Sequence, residues 1–379
     1  MVRPMRIDDM IAVVSIPRQA PATSFVLHAP LELMARTILM PHVAVDGRDE
    51  AGARLVEMCA AYEASGDPVP PPRPVDGIAA DLAPLLVAAI GSGELDDVDR
   101  YAAALGARST PSEIRRLLAP AVVRSLGAAG HASILLYLLP RLPAGELLRG
   151  PARELARNPA WQIGWIEETG STGRRASLGD ALQQVPMLGL PGSDFIYPVV
   201  AQAEGSGIAA KVLGDVVNMD VASAGVELSR AAAWSMLHEG PEHAPYGWTH
   251  CLTIPQAVIG MPVAPRVAVG VAATYVVAFR AALAERALVP GYRPDRPDHD
   301  LSLDEAIATS PERAAAAAWH GDPTTVRTTL ATRASAHADA HYVKYTLACF
   351  DAARADPVES QLYLAAAASL AGWWATRDA

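Results

Sequence analysis

A chain of 379 residues that is 51% hydrophobic can bury a large core, as one big domain or two ordinary ones. A net charge of −10, with no run of Lys or Arg, argues against a nucleic-acid phosphate track and against an anionic membrane surface. Three scattered cysteines, Cys59, Cys251 and Cys349, form neither a CxxC motif nor an even framework, which fits buried thiols in a reducing compartment.

Residues 1–20 read as a short strand-like or irregular start. Their apolar run is brief and follows Asp8 and Asp9, unlike a signal peptide. From Thr23 the spacing predicts a helix through FVLHAPLELMARTILM, with Pro30 near its beginning. A second helix covers 50–64 and stops at Ser65-Gly66. The Pro-rich stretch 66–75 then reads as an extended surface linker. Helices follow at 76–91, 94–105 and 111–127, and helical signal continues past His131 to about Asn158. Residues 160–200 are rich in Gly, Pro and Ser and lack periodicity, which predicts a long ordered loop, a cap over a pocket.

Helical signal returns at 205–238 and breaks at HEGPEHAPYG. His250 stands just before a new helix within 247–261, and a core helix covers 265–288. Its apolar stretch, 267–279 between Arg266 and Arg280, is too short for a bilayer, which takes about 20 apolar residues. A second linker covers 289–300. Helices then run at 302–319 and 324–354, and a last one runs from Pro357 to about Thr376. No repeat and no βαβ alternation is visible. The expectation is a mainly α, cytoplasmic protein: a single large helical domain over residues 1–379. Its helices would surround a buried metal and substrate pocket, joined by long Pro/Gly-rich connections.

Several familiar motifs fail. GSG at 91–93 lacks a third glycine and follows no strand, and there is no P-loop. His238-Glu239 and Glu242-His243 have neither zincin spacing, and Gly240-Pro241 breaks the required helix. His299-Asp300 sits in a Pro/Asp-rich linker and reads as exposed. LGLPGSD is not a nucleophile elbow.

What remains is a lysine and a set of histidines. Lysine occurs only at Lys211 and Lys344, so 31 − 2 = 29 of the Lys plus Arg residues are arginine. Lys344 lies in an apolar run after His337 and His341, and spacings of four and three put all three on one face of a helix. Arginine keeps its proton in a protein, whereas a buried lysine can lose it. A surface lysine that snorkels is the plainer reading. His28, His131, His250, His337 and His341 all sit in apolar, helix-like surroundings. Singly, such histidines are mostly satisfied core residues. Brought together from several helices, imidazoles hold Fe, Zn, Cu or Mn. No carboxylate is in phase with them, because Asp339 would point about 200° from His337 on a regular helix. A neutral Lys344 could supply the missing anion by taking up carbon dioxide as a carbamate.

FVLHAPLELMA, GHASILLYLL, GWTHCLTIPQAV, AHYVKYTLACFDA and YLAAAASLAGWW together span nearly the whole chain. In these pieces the sequence resembles the questin oxidase-like family of aromatic polyketide tailoring enzymes. The resemblance implies a helical fold and a non-haem Fe(II) held by four histidines and a carboxylated lysine. It also implies O2-dependent cleavage of, or oxygen insertion into, a small anthraquinone-like aromatic substrate. Carried onto this chain, the ligands are His28, His131, His250, His341 and Lys344, the last with a CO2-derived carbamate. His337, one turn before His341, is the alternative to His28. Catalytic roles then fall to Lys344, His341 and Arg124. Arg124 lies seven residues before His131, hence on the same helical face, to hold a substrate phenolate or an internal carboxylate. Trp161, Trp165, Trp234, Trp248, Tyr246 and Tyr345 are candidate walls of an aromatic slot, or ordinary core residues. No nicotinamide-binding motif is visible, so a need for NADPH is open. Oligomeric state is open too, although the Trp373-Trp374 helix could pack on a partner. Two other classes stay in play: a helical binding protein with core histidines, and a zinc or manganese hydrolase on the same ligands.

Overall fold

The computed structural model describes residues 5–19, 24–167, 177–191, 196–213, 219–296 and 301–377. Among these the chain forms nineteen α-helices and no strand, with isolated bridges at Arg18–Pro68 and Ser125–Gln162. The mainly α class expected from the helical periodicity is the class found. Two compact units are present: Met1–Ile38, Asp49–Ile163 and Gly260–Val263 in the first, and Leu39–Arg48, Gly164–Ile259 and Ala264–Ala379 in the second.

In the first unit, Ala79–Ser92 packs on Leu95–Arg108, which packs on Arg149–Arg157. Gly93 ends the first of these helices at φ 76°, a conformation that favours glycine. Asp99, buried, ties the other two together by accepting from Arg149 at 3.2 Å and Arg153 at 2.8 Å. Gly106 and Gly145 approach so closely that a Cβ on either would strike the other's carbonyl. The expected linker is pinned rather than free: Val69 donates to Pro17 O and is buried, and Gln19 donates to Asp67 O. The N-terminal stretch contains a helix, Ile7–Val14, where strand-like or irregular backbone was expected.

The core of the second unit is two helices that are apolar all round, the pattern of a buried helix. Every residue from 268 to 283 of Pro265–Leu283 is buried, as is every residue from 362 to 373 of Ser360–Ala375. Pro265–Leu283 is long and apolar enough to cross a membrane, but 89% of its apolar window is buried inside the protein, so it works here as a core helix. Full burial of a side chain such as Phe279 or Leu370 contributes about 1.5–3 kcal/mol. Pro311–His320 packs on Ser360–Ala375, with Gly372 against Pro311 where a Cβ would meet backbone.

Several helices expected to be continuous are broken. The helix begun at Pro111 ends at Val122, short of 127. The stretch 205–238 holds Ile208–Leu213 and Val221–His238. The stretch 302–319 splits at Ser310, whose side chain caps Pro311–His320. The stretch 324–354 splits into Pro323–Ala336 and Ala340–Ala355, with Asp339 capping the second. Within 160–200, the short helix Leu178–Gln183 and the start of Ile196–Gly205 replace part of the expected loop. The rest of that cap, at 168–176 and 192–195, lies outside the described residues, as do His299 and Asp300.

Candidate metal centre

His28 lies on Ser24–Leu39 and is buried. Contrary to the expectation that no carboxylate is in phase with the histidines, a spacing of four puts Glu32 on the His28 face of that helix, with Arg36 a further turn on; Glu32 and Arg36 are buried as an ion pair at 2.6 Å. The His28 ring centroid is 4.6 Å from that of His131.

His131 is the first residue of His131–Leu138. Just before it, Ala128, Ala129 and Gly130 take left-handed backbone at φ 51°, 48° and 73°. For alanine that conformation costs about 1–2 kcal/mol per residue. It turns the Ala128 and Ala129 carbonyls onto His131 Nδ1, at 3.1 and 3.0 Å.

His250 is the second residue of Thr249–Ile259, directly after the π-helical turn Ala244–Trp248. Its Nδ1 donates to the Tyr246 carbonyl. His341 is the second residue of Ala340–Ala355, and its Nδ1 lies 3.2 Å from Asp339 Oδ1. The same oxygen accepts from the main-chain N–H of His341 at 2.7 Å and of Tyr342 at 3.3 Å. The His250 and His341 rings stand nearly perpendicular, 4.9 Å apart, and Tyr246 meets His341 edge-on at 4.8 Å.

One pattern recurs in His131, His250 and His341. An oxygen just upstream in the chain takes Nδ1, and a carbonyl or carboxylate oxygen can only accept. Nδ1 therefore carries the proton, and Nε2 keeps a lone pair. Metal-ligating histidines are oriented in this way. All four histidines are buried, and one ligand atom from each lies within 4.8 Å of the others, a group that could hold a metal ion. Nitrogen ligands sit about 2.1 Å from such a metal, so two of them are at most about 4.2 Å apart. Only a trans pair reaches that limit and adjacent ligands stand closer, at about 3.0–3.4 Å, so the four nitrogens must draw together before they share one ion.

Burial, and then the nearby Lys344 charge, push the His341 imidazole down to about 4, against the opposing pull of Asp339. His341 is thus neutral at pH 7, the form that binds metal. Burial alone would raise the Asp339 carboxyl, but its hydrogen bonds to His341 and the nearby Lys344 charge hold it below the usual range. Lys344 is 4% exposed, one turn beyond His341 on a helix buried from 340 to 353. A snorkelling surface lysine does not fit that position.

Other expectations are corrected. Arg124 does not share a helix face with His131, because the helix ends at Val122 and the chain turns through the left-handed residues. Its guanidinium instead donates to the Ile163 carbonyl at 3.3 Å. His337 shares no helix with His341 and Lys344. It caps the end of Pro323–Ala336, accepts the Asp339 N–H on Nδ1 at 3.0 Å, and lies against Trp374 at a tilt of 50°, with centroids 4.7 Å apart. His28, not His337, joins the group. Trp165, Trp248 and Tyr345 are buried, Trp165 donating to Thr274 Oγ1 at 2.9 Å, while Trp161 and Trp234 are half-buried. Tyr246, half exposed, is the wall candidate that meets a site histidine edge-on. A cleft of about 470 Å³ in the second unit is lined by residues including Met236, Tyr292, Arg313 and Trp373, and by none of the expected site residues.

No family model, curated protein or solved structure matches the chain. Fold and site together define an all-α protein carrying a group of four buried histidines.

Proposed function

We propose that the chain is a metal-dependent oxygenase, a non-haem iron enzyme acting on a small aromatic, anthraquinone-like substrate. The observation that carries this is the convergence of four buried histidine nitrogens, three of them on rings whose Nδ1 is held by an oxygen. Neutral imidazoles suit first-row metals such as Fe and Zn. Ferrous iron is chosen among them because the short motifs around His28, His131, His250 and Lys344 resemble the questin oxidase-like family.

In this reading His28, His131, His250 and His341 hold the ion through imidazole nitrogen. Lys344 completes the set. An ammonium beside a divalent cation is doubly disfavoured, by burial and by like charge, so the ammonium would shed one proton to solvent, and the neutral amine would add CO2 and release a second proton to give an anionic carbamate. A ferrous ion held there supplies the redox chemistry of dioxygen use. The surrounding helices exclude water, and Tyr246, half exposed against His341, offers an aromatic face to a flat substrate. Whether the product arises by C–C cleavage or by Baeyer–Villiger-type insertion, and whether NADPH is consumed, depends on that substrate.

The test is metal content of anaerobically purified protein beside Lys344→Arg, followed by oxygen uptake with a panel of anthraquinones. About one iron per chain, diminished in the variant, with uptake in the wild type, supports the oxygenase. Zinc or manganese at full occupancy without oxygen uptake would shift the assignment to a hydrolase. No metal in either protein would leave a helical binding protein.

A further inference from the structure

We propose that Asp339 is the positioning residue of the metal centre: one carboxylate oxygen both starts the helix Ala340–Ala355 and fixes the His341 imidazole with Nε2 toward the ion. The proposal rests on the metal-centre reading above and adds a residue to it.

Asp339 Oδ1 gathers three donors from two residues, His341 and Tyr342. It accepts from the main-chain N–H of His341 at 2.7 Å and of Tyr342 at 3.3 Å, and from His341 Nδ1 at 3.2 Å. The first two are an N-cap, which Ser or Asn would serve as well. The third is not needed to start a helix. It sets the tautomer and the plane of one imidazole, and oxygens that do so commonly change metal affinity about 10–100-fold. Upstream, the Asp339 N–H donates to His337 Nδ1, and His337 lies against Trp374 and Tyr342. The short segment 337–339 is therefore clamped at its other end. His131 and His250 use main-chain carbonyls for this purpose. His341 is the one of these three whose support is a side chain, and so the one that mutation can remove cleanly.

Three variants separate the roles. Asp339→Ser keeps a capping oxygen but is too short to hold the ring as well. Asp339→Asn keeps the size and an acceptor for both. Asp339→Ala loses everything. Co(II) titration under argon, followed by its visible absorption, reads affinity and geometry. The 15N shifts of the His341 ring in metal-free protein read the tautomer without any metal. The expected result is 1:1 binding to wild type and to Asp339→Asn within a few-fold. Asp339→Ser should bind about 10–100-fold more weakly, with an altered cobalt band, a mixed His341 tautomer and near wild-type metal-free thermal stability. Asp339→Ala should lose both affinity and stability. Equal Co(II) affinity and the same His341 tautomer in wild type and Asp339→Ser would overturn the positioning role while leaving the metal centre intact. No Co(II) binding by wild type would overturn the metal centre and this role with it.

Discussion

The carbonyl oxygen of Ala128, a residue held at φ 51°, lies 3.1 Å from Nδ1 of His131. Local backbone strain is thus coupled to the orientation of a candidate ligand, an arrangement seen where function over-determines a conformation. Glycine accepts left-handed backbone without the alanine cost. Ala128→Gly is expected to raise stability by up to about 1 kcal/mol, while Ala128→Val should lower it by at least that much and loosen metal binding. Urea unfolding of the metal-free chain and a metal titration check the two halves of this expectation.

The four-histidine group predicts metal-linked stability. An ion that binds only the folded chain stabilises it by about 4 kcal/mol at a thousandfold excess over Kd. A chelator should therefore lower the midpoint of thermal unfolding in wild type by several degrees. His250→Ala, which removes one of the four nitrogens in the group, should unfold at nearly the same temperature with and without chelator. A wild-type midpoint indifferent to both chelator and added metal would count against a bound ion.

How much of this was legible in the sequence depends on where each helix starts. The all-α class follows from helical spacing that holds along most of the chain, and His28, His131, His250 and His341 were visible as histidines in apolar runs. The supporting oxygens were not. Two sets are main-chain carbonyls, at Ala128–Ala129 and Tyr246, aimed by a left-handed turn and a π-helical turn that leave no side-chain pattern. Asp339 points away from the histidines only on a continuous helix, and the helix is broken just before it. An Asp just ahead of a helical run is also an N-cap signal, and here it marks the break. The breaks after Val122 and Ala336 likewise take Arg124 off the His131 face and His337 off the face of His341.

Away from the histidines, Asp356 is buried and accepts from Arg230 at 2.6 and 2.8 Å and from Tyr363 at 2.9 Å. Burial alone would raise its carboxyl, but the Arg230 and Tyr363 hydrogen bonds hold it below the usual range. A depressed carboxyl stabilises the fold above the unfolded-state value of about 3.9 and loses that contribution as pH falls through the folded value. Asp356→Asn should therefore cost about 2 kcal/mol near neutrality. The gap between variant and wild type should close only below about pH 4. Denaturant midpoints measured across that range would show it, and a gap unchanged in acid would assign the effect to packing.

Lys344 decides between the metal centre and a plain helical core. As a permanent ammonium it would serve only as a buried counter-charge to Asp339, whose carboxyl it helps to lower. In that case replacing it with Arg keeps the charge and changes little beyond packing. As a carbamate it supplies the one anion among the proposed ligands, and neither Arg nor Met can replace it. Protein equilibrated with 13C-bicarbonate should show a carbamate carbon resonance in wild type that is absent from Lys344→Arg. Iron affinity should fall when CO2 is stripped from the buffer and recover when bicarbonate is returned. Lys344→Ala with added short-chain carboxylate should regain part of the iron, because the cavity left by the lysine stem admits an anion where the carbamate stood. A wild-type sample that binds iron equally well with and without CO2, and shows no labelled carbon, would keep the histidines as ligands and return Lys344 to the core.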